Sequence, residues 1–279
     1  MKDKSPRISV IIPCFNDEKF IEQAVNSAIV KTGEFLEVIV VDDGSDQKTK
    51  DVLKKLRPKI TKLITQENKG VSQARNIGIA NATHNTIVVL DSDDYFEEDF
   101  YRRGFDVLKN MPEAKLITCY SRRFDHNGTI DVIKLKDATL KEFLKFNAAM
   151  GSVMFRRSDW RECGGYDEHM LKGFEDWEFY IRLLSKGGKS YVIPETLFNY
   201  RIREHSKTTS ANKIKPELLK YIYNKNKSIC LDNFEDILLH YIKRIERVED
   251  SEKKLKRKLE YRLGKLILSP FRIFKKKGR

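Results

Sequence analysis

The 279-residue chain is long enough to bury a full core, and its four cysteines form no CxxC pair, which excludes a small disulfide-stapled scaffold and argues against a zinc site. The net charge of +13 is uneven: residues 241–279 hold 15 Lys or Arg against 5 Asp or Glu, leaving +3 for residues 1–240. The tail is therefore suited to a polyanion such as anionic lipid, while nucleic-acid recognition by the main body is not expected.

The opening "MKDKSPRISVIIPCF" has a short polar lead before an apolar run that Pro13 ends, so it does not read as a secretory leader. No stretch approaches the roughly 18 apolar residues of a spanning helix. The expected setting is cytoplasmic, with reduced thiols.

From Ile8 to about Ile130, short β-rich runs alternate with helical patterns. "ISVIIPCF" reads as a strand, and in "EKFIEQAVNSAIV" Phe20, Ile21, Ala24, Val25, Ala28 and Ile29 recur at helical spacing. Then come strand "EVIVVDDGS", a helix near residues 46–56, a short strand at "TKLIT", a helix within 70–81 and strand "TIVVLD". This order predicts an α/β domain with a mostly parallel sheet flanked by helices. Ligands collect beyond the carboxyl ends of such strands, where "PCFND", "VDDGS" and "LDSDD" all fall.

Beyond residue 115 the pattern gives a hairpin around "DHNG", a strand at "GSVMFRR", a helix beginning near "EDWEFYIRLLSKG" and a strand-rich "KSYVIPETLFNYRIR". A polar break at "EHSKTTSANK" sets a domain boundary near residue 212, with a helical extension over 213–279. There, Phe234, Leu238, Tyr241, Ile245, Val248, Leu255, Leu259 and Leu266 fall on an alternating four-three register that fails at Glu252 and Arg262. That stripe serves either a homodimer or docking on the main domain. The closing "LGKLILSPFRIFKKKGR" has the composition of an interfacial membrane anchor.

Asp91, Asp93 and Asp94 crowd into four residues after an apolar strand, and three chemistries compete for them. A divalent ion shared with a diphosphate would relieve their repulsion. A phosphatase with an aspartate nucleophile would place that residue on its first strand, whereas two strands come earlier here. A receiver-like phosphoacceptor domain would be complete in about half this length. No GxGxxG supports a dinucleotide oxidoreductase.

Taken together and in order, "SVIIPCFNDEKFIEQAVNSA", "VIVVDDGSDQKT", "NKGVSQARNIGIANA", "VVLDSDDYF" and "GFEDWEFYIRLLSKG" resemble family 2 of the inverting nucleotide-sugar glycosyltransferases. The resemblance covers roughly residues 7–210 and implies the GT-A, Rossmann-like fold. It implies that Asp43 accepts from the uracil of a UDP-sugar, that Pro13 and Phe15 shape the base pocket, and that Lys69 and Arg75 face the nucleotide. It places Asp91 towards the ribose and makes Asp93 the ligand of a Mn²⁺ or Mg²⁺ ion, with His205 returning to the metal or diphosphate. Asp94 orients its neighbours or caps the next helix, and Arg201 and Arg203 share a strand face that suits phosphate. Asp176 matches the catalytic base, Glu175 supports it or binds acceptor, and Trp177 lines the acceptor pocket.

The Q-x-x-R-W motif of processive members is absent, so one sugar per encounter is expected. The implied acceptor is a hydroxyl of a glycan or lipid-linked precursor of cell-surface polysaccharide. The tail would hold the enzyme at the inner face of the membrane. The alternative is a non-catalytic nucleotide-sugar-binding or scaffold protein on the same fold.

Overall fold

The computed structural model describes residues 7–29, 36–203, 206–261 and 263, and the chain divides into two compact units, Met1–Ile229 and Cys230–Arg279. The first unit opens with β1 (Ile8–Cys14), α1 (Ile21–Ser27), β2 (Leu36–Asp43), α2 (Gln47–Leu56), β3 (Lys62–Gln66), α3 (Val71–Ala80) and β4 (Thr86–Val89). These strands run parallel in the order β3-β2-β1-β4. All seven residues of β1 are buried, as expected of a strand covered on both faces. The Asp46 side chain accepts the Thr49 amide to start α2, and α3 presses on the sheet where a Cβ on Gly78 would stand 2.3 Å from Ile11 Cγ2.

The second half adds antiparallel pairings. β5 (Tyr95–Phe96), α4 (Asp99–Asn110), β6 (Ala114–Asp125), β7 (Gly128–Ile133), β8 (Ala138–Thr139), α5 (Leu140–Phe143), β9 (Val153–Arg156), α6 (Arg157–Glu162), α7 (Glu175–Leu184) and β10 (Lys189–Arg201) follow in turn. The sheet continues from β4 through β9, β6 and β10 to β5; β9 is antiparallel to both neighbours, and β10 is parallel to β6. The expected hairpin is β6–β7, closing at His126 and Asn127. The helices α4, α5 and α6 escaped the sequence pattern. α4 buries Phe100, Tyr101, Gly104 and Leu108 at three- and four-residue steps behind its acidic lead, and Phe100 stacks on Phe96 at 3.9 Å.

The first unit extends beyond residue 212 to Ile229, taking in α8 (Lys207–Lys213) and α9 (Lys215–Lys225). α9 buries Leu218 and Ile222, and its Lys225 ammonium reaches Asp167 at 2.5 Å and Glu178 at 3.3 Å. α10 (Lys227–Asp232) crosses the boundary, and the second unit contains α11 (Phe234–Arg257).

Candidate active site

The carboxyl ends of β1, β2 and β4 form one rim. At the end of β2, the Asp43 carboxylate accepts the Lys69 amide at 2.9 Å, the Gly70 amide at 2.9 Å and the Gln66 side-chain amide at 2.7 Å. These bonds fix the loop that enters α3, where Gly70 has φ +94° and so suits a residue without Cβ. A carboxylate has about four acceptor positions, so one stays open. Beside it, the buried Gln66 Oε1 has no protein partner. Pro13 is buried in β1, Phe15 is exposed just beyond that strand, and the Lys69 side chain is exposed.

Arg75 is the hub. Its guanidinium, 3% exposed, donates to Asp91 at 2.7 Å and to Glu175 at 2.9 Å while lying 5.2 Å from the Tyr166 ring centroid. Burial alone would favour the neutral form, but Asp91 and Glu175 hold the guanidinium charged, well above its ordinary range. Arg75 therefore lies beneath the cleft rather than facing it, with both terminal nitrogens spent on carboxylates. It ties the loop after β4 to the start of α7, and its own bond to Glu175 spans 100 residues of chain.

The predicted base stands in the same place. Asp91 Oδ2 and Asp176 Oδ2 lie 3.2 and 3.9 Å from the point where a Gly151 Cβ would stand, with an Arg75 terminal nitrogen also 3.9 Å away. Asp91 and Asp176 thus face one shared space beside Gly151. Asp176 accepts from Asn147 Nδ2 at 2.9 Å and sits in the first turn of α7. Burial among protein atoms and the charge of Glu175 push its carboxyl up to about 6, against the lowering effect of Arg75. Phe174, just before the helix, adopts φ 63°, a left-handed conformation uncommon for an aromatic residue. The Tyr180 hydroxyl donates to the Met150 carbonyl at 2.7 Å and reaches the Gly151 carbonyl at 3.2 Å, fixing the opposite wall.

The acidic loop is held from β10. Asp94 is buried and accepts the Arg201 amide at 2.7 Å; burial, then Asp93 and Asp91, drive its carboxyl well above the usual range. Arg201 lies 4.5 Å from the Phe20 and Phe124 ring centroids and donates to the Asp93 carbonyl, so it braces the loop. Arg203 bridges Asp17 at 2.8 Å and Asp93 at 3.0 Å, and Ser92 donates to Asp17 at 2.5 Å. Asp93 is only partly exposed, and burial followed by the charge of Asp91 raises its carboxyl.

No cage of three or more His, Cys, Asp or Glu ligands exists among the described residues. The donor chemistry nevertheless fits a hard cation that shares few protein oxygens with a diphosphate: the carboxylates are crowded, and Asp93 offers a second oxygen beyond its Arg203 bond. His205 lies outside the described residues.

Trp177 is placed away from solvent. It is 3% exposed, its indole N–H donates to the Phe143 carbonyl at 2.5 Å, and Lys215 lies 5.7 Å from its ring centroid. It therefore anchors α7 to α5 instead of lining an open pocket. Sequence reasoning missed Asp17, Asn147, Gly151 and Tyr166. Asp17 stood within the quoted "PCFND", whereas "FNAAMGSV" offered neither charge nor motif around Asn147 and Gly151.

The profile of glycosyl transferase family 2 matches residues 9–164. The chain belongs to this family. Residues 140–206 also match the profile described as the N-terminal domain of galactosyltransferase. Among curated relatives, the putative teichuronic acid biosynthesis glycosyltransferase TuaG of Bacillus subtilis is 29% identical over 77% of this chain and 86% of its own. Glycosyltransferase GlyA of Streptococcus pneumoniae is 35% identical over 72% of this chain but 31% of its own. Among solved structures, S. aureus TarS 1-349 superposes with a TM-score of 0.64 at 20% identity, covering 92% of this chain and 77% of that one. The same TarS segment in complex with UDP-GlcNAc gives a TM-score of 0.60 at 22% identity, covering 74% and 61%. A longer TarS chain is covered to 37%. The family 2 chain thus has a GT-A fold, with a curled central sheet flanked by helices.

Proposed function

We propose that this family 2 glycosyltransferase moves one sugar from a UDP-sugar to a hydroxyl of a glycan or lipid-linked acceptor, with inversion at the anomeric carbon, in cell-surface polysaccharide synthesis. The observation that carries the reading is the convergence of Asp91 and Asp176 beside Gly151, with Arg75 tying Asp91 to Glu175, the neighbour of Asp176. TuaG, a teichuronic acid enzyme by name, and the UDP-GlcNAc complex of TarS support the donor and pathway class by analogy.

The uracil N–H donates into the open position on Asp43, with Pro13 and Phe15 beside the base and Lys69 at the mouth of the pocket. Asp91 faces the ribose, and Arg75 holds its carboxylate in place. Asp93, with His205, would hold Mn²⁺ or Mg²⁺, which neutralises charge on the departing diphosphate. On the other side of the sugar, ionised Asp176 takes the acceptor hydroxyl's proton as that oxygen bonds to the anomeric carbon. Asn147 and Arg75 orient the base and its neighbour Glu175, and Trp177 fixes the helix that carries them. One sugar is transferred per encounter. The basic tail would hold the enzyme at the inner membrane face, where lipid-linked acceptors lie; no described helix is long and apolar enough to cross a membrane.

The test is UDP affinity and transfer measured in parallel with Asp176→Asn. The expected outcome is unchanged UDP binding with transfer reduced by roughly 1,000-fold or more. Turnover at the parental rate would remove Asp176 from the chemistry.

A further inference from the structure

Along α11, Leu238, Ile245, Val248 and Leu255 are exposed apolar residues, Ile245 at 57% and Val248 at 61%. Burying such a seam is the ordinary way for a surface helix to gain stability. In heptad terms, Leu238, Ile245 and Glu252 take a positions, and Tyr241, Val248 and Leu255 take d positions. A repeat of 3.5 residues suits a left-handed supercoil of two helices better than a flat surface. The 24 residues span about 36 Å, more than three heptads.

The shape of the seam points to one occupant. An open depression on the helix face is lined by Tyr241, Arg244, Ile245, Val248 and Glu249. The first four occupy consecutive d, g, a and d positions, the four corners of the hole that takes an a-position knob from a facing helix. In a pair of identical helices in register, that knob is the Ile245 of the other copy.

Charge selects the orientation. In a parallel pair, each g position meets the following e position of its neighbour, so Arg244 meets Glu249 on both flanks of the Ile245 layer. Antiparallel pairing sets g against g, which brings Arg244 to Ser251, Lys258 or a second Arg244 and gives it no ion pair. The a-position Glu252 sets the strand number. In two strands its carboxylate stays at the solvent edge, where Lys256 of the same helix holds it at 2.6 Å; three strands would crowd three carboxylates at the axis.

We infer that α11 pairs with the α11 of a second copy of this chain as a parallel two-stranded coiled coil, centred on Ile245 and flanked by Arg244–Glu249 ion pairs. Sedimentation equilibrium on the full chain at physiological salt tests this. The expected result is a two-chain mass in the micromolar range. Ile245→Asp should raise the dissociation constant by roughly 100-fold. Arg244→Glu should raise it about tenfold, and adding Glu249→Arg to that variant should restore it. Glu252→Leu should tighten the dimer by about tenfold, an effect that loss of folding cannot imitate. A one-chain mass at every concentration would overturn the inference, whether the seam then covers vesicle lipid or the chain's own surface. So would a three-chain mass, a dimer indifferent to Ile245→Asp, or a charge exchange that fails to restore pairing.

Discussion

Asp176 and Arg75 set opposite demands on one buried patch. The base must be ionised to accept a proton, yet burial and Glu175 raise its carboxyl to about 6, so kcat/KM should fall with unit slope below about pH 6 and be flat above it. An unshifted aspartate would place that limb near 4. A pH–rate profile on the free enzyme distinguishes the two. The same shift has a stability consequence. A carboxyl with a raised folded-state value favours folding below its unfolded range, and that contribution is lost as pH rises from about 4 through about 6. Asp176→Asn removes the loss, so its Tm at pH 7.5 should rise by roughly 2–4 °C while transfer disappears. Arg75 shows the reverse balance. Removing its guanidinium leaves Asp91 and Glu175 uncompensated, so Arg75→Ala should cost about 3–5 kcal/mol in denaturant unfolding. Arg75→Lys keeps the charge without the fork and should recover part of that stability, but not the turnover.

At the scale of elements, close approaches divide into those that hold the sheet and those that shape the cleft. Gly78 lets α3 lie against β1, and Gly78→Ala should lower stability by about 1–3 kcal/mol with little change in KM for the donor. Gly151 has the opposite profile. A methyl there stands 3.2 Å from Asp91 Oδ2 in the space shared with Asp176, so Gly151→Ala should lower kcat by roughly tenfold or more while Tm stays near the parental value. The same division explains what could be read from the chain. β1, β2 and β4 were legible because strands buried on both faces are continuous apolar runs, α2 because its periodicity and its Asp46 cap are local, and α3 because its periodicity is local. α4 had the right period, but its buried stripe is interleaved with charged residues and follows directly on the acidic loop, so no cap or turn marks its start. Asp43, Asp91, Asp93 and Asp176 stood out as charges at strand or helix ends. Asn147 and Gly151 did not, because their roles exist only after Tyr180 on α7 has pinned their loop from thirty residues away. Arg75 was legible as a residue and not as a tie, since both its partners come from other elements.

For the molecule as a whole, the proposed pairing helix and the basic C-terminal stretch belong to the same unit. Residues 251–279 carry 12 Lys or Arg against 2 Asp or Glu, and the sequence past residue 263 combines its basic residues with Leu, Ile and Phe. A single amphipathic basic segment binds anionic lipid reversibly, and its attraction is screened once the Debye length shrinks. A parallel pair of α11 helices would bring the two Arg257 ends together, and a basic segment following each would then be offered to one bilayer patch. The second attachment would then be intramolecular and is expected to strengthen binding by roughly 100-fold without any new contact. Sedimentation with vesicles rich in anionic lipid separates the contributions. Truncation after residue 263 should keep the two-chain mass and lose vesicle binding. Ile245→Asp should keep both tails but bind as a single chain, weaker by that same factor and with a shallower salt dependence. Equal binding by the full chain and by Ile245→Asp would mean that the tails act singly, and unchanged binding after truncation would place the lipid contact elsewhere in the chain.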